Sequence, residues 1–169
     1  MILNLDGIEH LLAPWQHAYS DSTALSTSVT AVHLLAMLFG GGLAIAADRT
    51  TLKLKGENAD QRRQHLVELN AVHRPVLIAL TFQFASGIAM LASDIGTFVA
   101  SPVLWVKLSL VALLLINGVI LVRTESALRN SQSGAEPAGL WSRLNFNAVC
   151  SLVLWSATLV AGITLVNTA

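Results

Sequence analysis

Residues 29–53 read VTAVHLLAMLFGGGLAIAADRTTLK. The first nineteen of these, Val29 to Ala47, carry no Asp, Glu, Lys or Arg, and the run ends on Asp48-Arg49. A membrane-crossing helix needs about 17 to 25 predominantly apolar residues, because hydrocarbon offers its backbone polar groups no partners. Three further runs meet the same requirement: Val76–Ala92 (VLIALTFQFASGIAMLA), Val103–Val122 (VLWVKLSLVALLLINGVILV) and Phe146–Val166 (FNAVCSLVLWSATLVAGITLV). Only 12% of the 169 residues are charged, about half the fraction of an ordinary soluble domain. The sequence therefore predicts an all-α integral membrane four-helix bundle in a single domain, with spans at about 24–47, 75–94, 102–123 and 144–166.

The placement of Lys and Arg predicts orientation. Arg49, Lys53, Lys55, Arg62, Arg63 and Arg74 lie between spans one and two, and Arg123, Arg129 and Arg143 between spans three and four. None precedes the first span, separates the second from the third, or follows the fourth; Lys107 is the one cation within a span. Both basic loops are thus expected in the cytoplasm, with both termini outside and an up-down helix order in a bacterial inner membrane. MILNLDGIEH offers no basic region ahead of an apolar stretch, so the first span is expected to serve as its own insertion signal. A formal net charge of zero argues against nucleic acid as a partner. The lone Cys150 excludes both an internal disulfide and a multi-cysteine zinc site.

Between the spans, residues 6–20 (DGIEHLLAPWQHAYS) place Ile8, Leu11, Leu12 and Trp15 at near-helical spacing interrupted by Pro14, predicting an interfacial segment. Ser20 to Thr23 supply N-caps for the first span, and Asn58 with Gln61 marks the start of a polar cytoplasmic helix over 58–73. Pro75 marks a start or kink at membrane entry, residues 94–102 a short outer loop, and Asn130–Gly139 a flexible linker. Gly40, Gly41 and Gly42, flanked by Ala36 and Ala44, form a small-residue ridge; close helix packing is its expected role, ahead of approach to a cofactor. Asp48-Arg49 reads as an ion pair at a helix end.

Ionisable side chains within spans are functional candidates by default. His33 and Lys107 each stand five residues into runs that enter from the same side, and so are expected at matching depth, about 6 to 8 Å below the outer boundary. His33 has two readings. One is an interhelical hydrogen bond to Gln83, Ser86 or a backbone carbonyl; the other is a haem iron ligand or proton carrier. Lys107 either snorkels to the headgroups, or pairs with Asp94 or a bound anion such as a propionate or quinone oxygen. Met37, four residues after His33, reads as packing. His10 and His17 read as solvated. His65 and His73 are eight residues apart, about 12 Å of rise, and too distant to share a metal. Gln83, Asn117, Asn145 and Asn147 read mainly as interhelical glue.

Several short motifs stand in a recognisable order. His33 is followed by Gly40-Gly41-Gly42 and Asp48-Arg49-Thr50-Thr51-Leu52; Gly87 lies in span two; Ser101-Pro102-Val103-Leu104-Trp105-Val106-Lys107-Leu108 opens span three, with Asn117-Gly118 further on. Over residues 29–122 this order resembles bacterial four-helix integral membrane families. The entry to span three is similar to that of HemJ-like protoporphyrinogen oxidases and of CopD-like copper resistance proteins. The HemJ resemblance implies b-haem, with His33 as the possible iron ligand and Lys107 as its electrostatic partner. Asn117 stands where that family carries a histidine. Sulfur ligands for copper are few, Met37, Met90 and Cys150 among them. The leading expectation is thus a small haem- or quinone-linked membrane protein, a membrane oxidoreductase with a membrane redox partner. Its site comprises His33, Gln83 and Lys107 in the outer half. The alternative is a non-catalytic membrane subunit or small permease without cofactor.

Overall fold

In a membrane the packing problem is inverted: the outside of the bundle must be apolar, and polar side chains must find one another within. The computed structural model describes residues 5–54, 58–131 and 138–168. Among these the chain forms α1 (Leu5–Asp21), α2 (Thr23–Lys53), α3 (Ala59–Ser93), α4 (Ile95–Ala100), α5 (Pro102–Asn130) and α6 (Ala138–Thr168). Of these, α2, α3, α5 and α6 are long and apolar enough to cross a membrane. Their outward residues include Leu34, Leu38, Phe39, Phe82, Phe84, Trp105, Val153 and Ile163, all exposed, whereas Asp48, Asn117, Glu125 and Asn147 are buried. That distribution suits a lipid solvent and would be a liability in water.

Local chemistry sets the helix boundaries. Ser22 caps α2 by accepting a hydrogen bond from the Leu25 amide, and Asn58 caps α3 by accepting one from the Gln61 amide, as the sequence predicts. Pro102 stands in the first turn of α5, where its missing N–H costs nothing. Ser26 and Ser28 donate back to the Ser22 and Ala24 carbonyls, so the polar start of α2 satisfies itself.

Three elements differ from the sequence reading. The polar helix expected over 58–73 and the span expected from 75 are one continuous α3, which carries Pro75 inside it. Likewise α1 runs through Pro14 without interruption. A proline forfeits one backbone hydrogen bond without necessarily ending a helix where neighbours hold both sides. Residues 95–100, read as loop, form α4, which Asp94 caps by accepting from the Thr97 amide. Most of the predicted linker at 130–139 lies outside the described residues.

Helix α2 packs against α3, α5 against α6, and α2 against α6, while α3 and α5 touch only sparsely. The glycines explain how α2 serves two partners. A Cβ on Gly40 would fall 2.9 Å from the Ala79 Cβ of α3, and one on Gly41 would fall 3.1 Å from the Trp155 ring of α6. Both glycines therefore permit close packing, while Gly42 has nothing within 4 Å of the corresponding position. Leu66, Leu69, Leu121, Leu128, Trp141 and Leu144 join α3, α5 and α6 in a buried cluster. The Arg62 guanidinium lies over the Trp141 ring, 5.2 Å from its centroid. Helix α1 lies against α2, α3 and α4, anchored by Trp15, whose indole N–H donates to the Ala89 carbonyl at 2.9 Å.

The Gly40 contact yields a quantitative expectation. Gly40→Leu is expected to destabilise the folded protein by about 1–3 kcal/mol, the usual cost of overpacking. Adding Ala79→Gly is expected to recover part of it. Both are measured by unfolding in mixed detergent micelles; a Gly40→Leu protein of unchanged stability would contradict the contact.

Candidate functional site

Polar side chains gather in two layers, separated by Trp155 where its ring meets α2. In the His33 layer, α2 contributes His33 and α3 contributes Gln83 and Ser86. His33 Nδ1 lies 3.1 Å from the Gln83 carbonyl oxygen and 3.0 Å from Ser86 Oγ. A carbonyl only accepts, so Nδ1 carries the proton. Ser86 Oγ donates its own hydrogen to the Phe82 carbonyl at 2.6 Å, leaving its lone pairs to receive the imidazole N–H. Nε2 is then the bare nitrogen, 3.4 Å from the Gln83 amide nitrogen, which donates to it. This leaves Gln83 Oε1 buried without a partner among the described residues. Gly87 makes room for the ring: a Cβ there would sit 3.3 Å from His33 Cε1.

Lys107 reaches into this layer from α5. Gly162 of α6 leaves it space, a Cβ there falling 3.6 Å from Nζ. Its charge lies within electrostatic range of His33, as expected from their matching positions. Among the described residues the ammonium makes no ion pair or hydrogen bond. The pairing with Asp94 considered above does not form; that carboxylate is occupied in capping α4. Thus His33, Gln83 and Lys107 occupy one layer, but in different states. His33 clasps α2 to α3, whereas Lys107 and Gln83 Oε1 keep hydrogen-bonding capacity to spare.

The fit to haem is divided. An Nδ1–H donated to a backbone carbonyl is the orientation of many metal-bound histidines. However, the lone pair that would meet iron faces the Gln83 amide. No group of three or more His, Cys, Asp or Glu side chains able to hold a metal exists among the described residues. For His33 to hold a haem iron, the Gln83 amide would have to turn away from Nε2.

The second layer was largely illegible in the sequence. Asp48 is 3% exposed and makes no ion pair with Arg49, contrary to the helix-end pair expected for it. The reason is helical phase. Asp48 shares the inward face with Ala44 and Thr51, while Arg49 points out. The Ser151 hydroxyl of α6 donates to the Asp48 carboxylate. Thr51 Oγ1 lies 2.8 Å from His65 Nε2 of α3. Asn117 Nδ2 donates to the Asn147 carbonyl at 3.0 Å, the interhelical role expected of both. Glu125, fully buried, lies 3.3 Å from His73 Nε2 and 3.5 Å from Arg129 Nε. Glu125 went unread in the sequence, although it falls between Leu121 and Leu128 on the stripe that faces the bundle. His65 and His73 have separate partners, consistent with their spacing. His10 and His17 are exposed.

Fold and site together define a polytopic α-helical membrane bundle with polar layers inside it. Compared with known proteins, the chain matches no family model, no curated protein and no solved structure.

The clasp has a measurable consequence. His33→Ala is expected to cost about 1–3 kcal/mol, because Ser86 and Gln83 then lose a buried partner. Circular dichroism during detergent-induced unfolding reads it directly. An unchanged midpoint would show that His33 does not hold α2 to α3.

Proposed function

We propose that the protein is a quinone-linked integral membrane protein that binds a quinone head group in the His33 layer. The observation carrying this reading is the Lys107 ammonium, set among apolar helices with no ion pair or hydrogen bond among the described residues. A cation in that position is costly unless it meets negative charge or a strong acceptor. A quinone carbonyl supplies such an acceptor and gains negative charge as it is reduced. The unpartnered Gln83 Oε1 accepts from the hydroxyl of the reduced form. The sparse contact between α3 and α5 leaves a lateral approach from the lipid, where quinones reside. Electrons come from a membrane redox partner, and the protein supplies binding and electrostatics.

The test is extraction of purified protein with organic solvent, followed by chromatography for co-purified quinone. Lys107→Met is expected to lose at least about tenfold in bound quinone, the equivalent of one charge-assisted hydrogen bond. Lys107→Arg is expected to retain part of it. A Soret band abolished by His33→Ala would replace quinone with b-haem held by His33. A colourless, quinone-free protein would favour the non-catalytic subunit or permease, with His33 as helix clasp alone.

The bundle in this proposal is up-and-down in a bacterial inner membrane, with both termini on the periplasmic side and both basic loops in the cytoplasm. The bias of nine cations to two loops supports it. The pairing of His33 with Gln83 and of Thr51 with His65, which opposes α2 to α3 in direction, supports the helix order. A cysteine at position 133, in a Cys150→Ser background, is expected to react with an impermeant maleimide only from the cytoplasmic side. Labelling from the periplasm would overturn the orientation.

A further inference from the structure

The Asp48 layer contains a carboxyl group without a counter-charge. Asp48 Oδ2 is buried and unpartnered, and its neighbour in sequence, Arg49, turns outward without pairing to it. Ser151 gives the carboxylate one hydrogen bond but no positive charge. One turn before Ser151 on α6, Asn147 is 4% exposed and its Nδ2 is also unpartnered, while its carbonyl holds Asn117 of α5. A lone carboxylate in an apolar interior is strongly disfavoured, and the smallest remedy is to bind a proton.

A line of polar groups leads from water toward this group, its last step being the placement of Thr51 and Asp48 on one face of α2. Between the end of α2 and the start of α3 lies a cavity of about 230 Å³, whose walls include Thr50, Lys53, Gln64, His65 and Glu68. That volume holds several waters. His65 forms part of its wall and is hydrogen-bonded at 2.8 Å to Thr51. Thr51 lies three residues after Asp48 on the same buried face of α2. On the other side, one turn beyond Ser151, Trp155 closes against Gly41. Access is therefore one-sided. The titratable groups around the route are His65 and Glu68 of α3 and Lys53 of α2; His73 and Glu125 form their own pair between α3 and α5.

We propose that Asp48 is a proton-loading site, exchanging protons with water through Thr51, His65 and this cavity at the end of the bundle that carries the basic loops. The proton passes from water to an Asp48 carboxylate oxygen and returns by the same route, so no other reactant is needed. The inference is independent of the quinone, since it uses none of the His33 layer.

An apolar carbodiimide tests it, because such reagents enter from lipid and react only with protonated carboxyl groups. The protein is treated in sealed vesicles, with the pH set separately on each side, and the adduct is located by mass spectrometry. Asp48 is expected to be modified, at least several-fold more when the face bearing the basic loops is acid than when it is alkaline, and insensitive to pH on the opposite face. A water-soluble carbodiimide is expected to miss it. The wild-type protein provides the measurement, so the result does not depend on a variant that folds; Asp48→Asn serves to confirm the assignment. An unmodified Asp48, modification independent of pH, or modification that follows the opposite face would each overturn the proposal. The first would stand even if quinone binding were demonstrated.

Discussion

The contact between the glycines of α2 and the Trp155 ring governs the rest of the molecule. Helix α2 packs against two of the other long helices, α3 and α6, joining the α2–α3 hairpin to the α5–α6 hairpin. It can do so because Gly40 admits Ala79 and Gly41 admits Trp155. Without hydrophobic driving force in lipid, such close approach is what makes helix association favourable. It also brings the backbones near enough for His33 to reach the Gln83 carbonyl on one side of the ring, and Ser151 to reach Asp48 on the other. The two polar layers are consequences of that packing.

The layers differ in how completely they are satisfied. The His33 ring is satisfied on both nitrogens, so most of its hydrogen-bonding energy goes into holding α2 and α3 together. In the same layer Gln83 Oε1 is buried without a partner, and the half-buried Lys107 makes no ion pair or hydrogen bond among the described residues. In the Asp48 layer Thr51, Asn117 and Glu125 have partners, but Asp48 and Asn147 each keep an idle polar atom. Idle polar atoms deep in a bundle are expensive to maintain. Gln83 Oε1 in one layer, and Asp48 Oδ2 and Asn147 Nδ2 in the other, are such atoms, whereas the satisfied groups account for the architecture.

The spans, the caps at Ser22 and Asn58, and the shared layer of His33, Gln83 and Lys107 were legible in the sequence because each depends on local spacing or on depth. Asp48 and Glu125 were not. Both stand beside an arginine in sequence or one turn from it, and adjacency suggests a surface ion pair. Only the inward stripe distinguishes them: Asp48 shares it with Thr51, Glu125 with Leu121 and Leu128. A stripe shows that a residue faces inward, but its partner on another helix depends on axial register, which no single run specifies. Pro14, and Pro75 where it was read as a helix start and not as a kink, misled in the opposite sense. A proline removes one backbone bond, and the packing of α1 on α3 and of α3 on α2 carries both helices through that loss.

Helix α3 has 35 residues, about 50 Å at roughly 1.5 Å per residue, against a hydrocarbon thickness of about 30 Å. A substantial length must therefore project beyond the lipid, on the side of Ala59. The projecting part is continuous with the part that carries Gln83 and Ser86, so the two form a single lever. Its weakest point is Pro75, where the bond to the Ala71 carbonyl is missing. A displacement of the Ala59 end would reach Gln83 and the His33 clasp only through the turn of helix around Pro75, the part of α3 least able to resist bending.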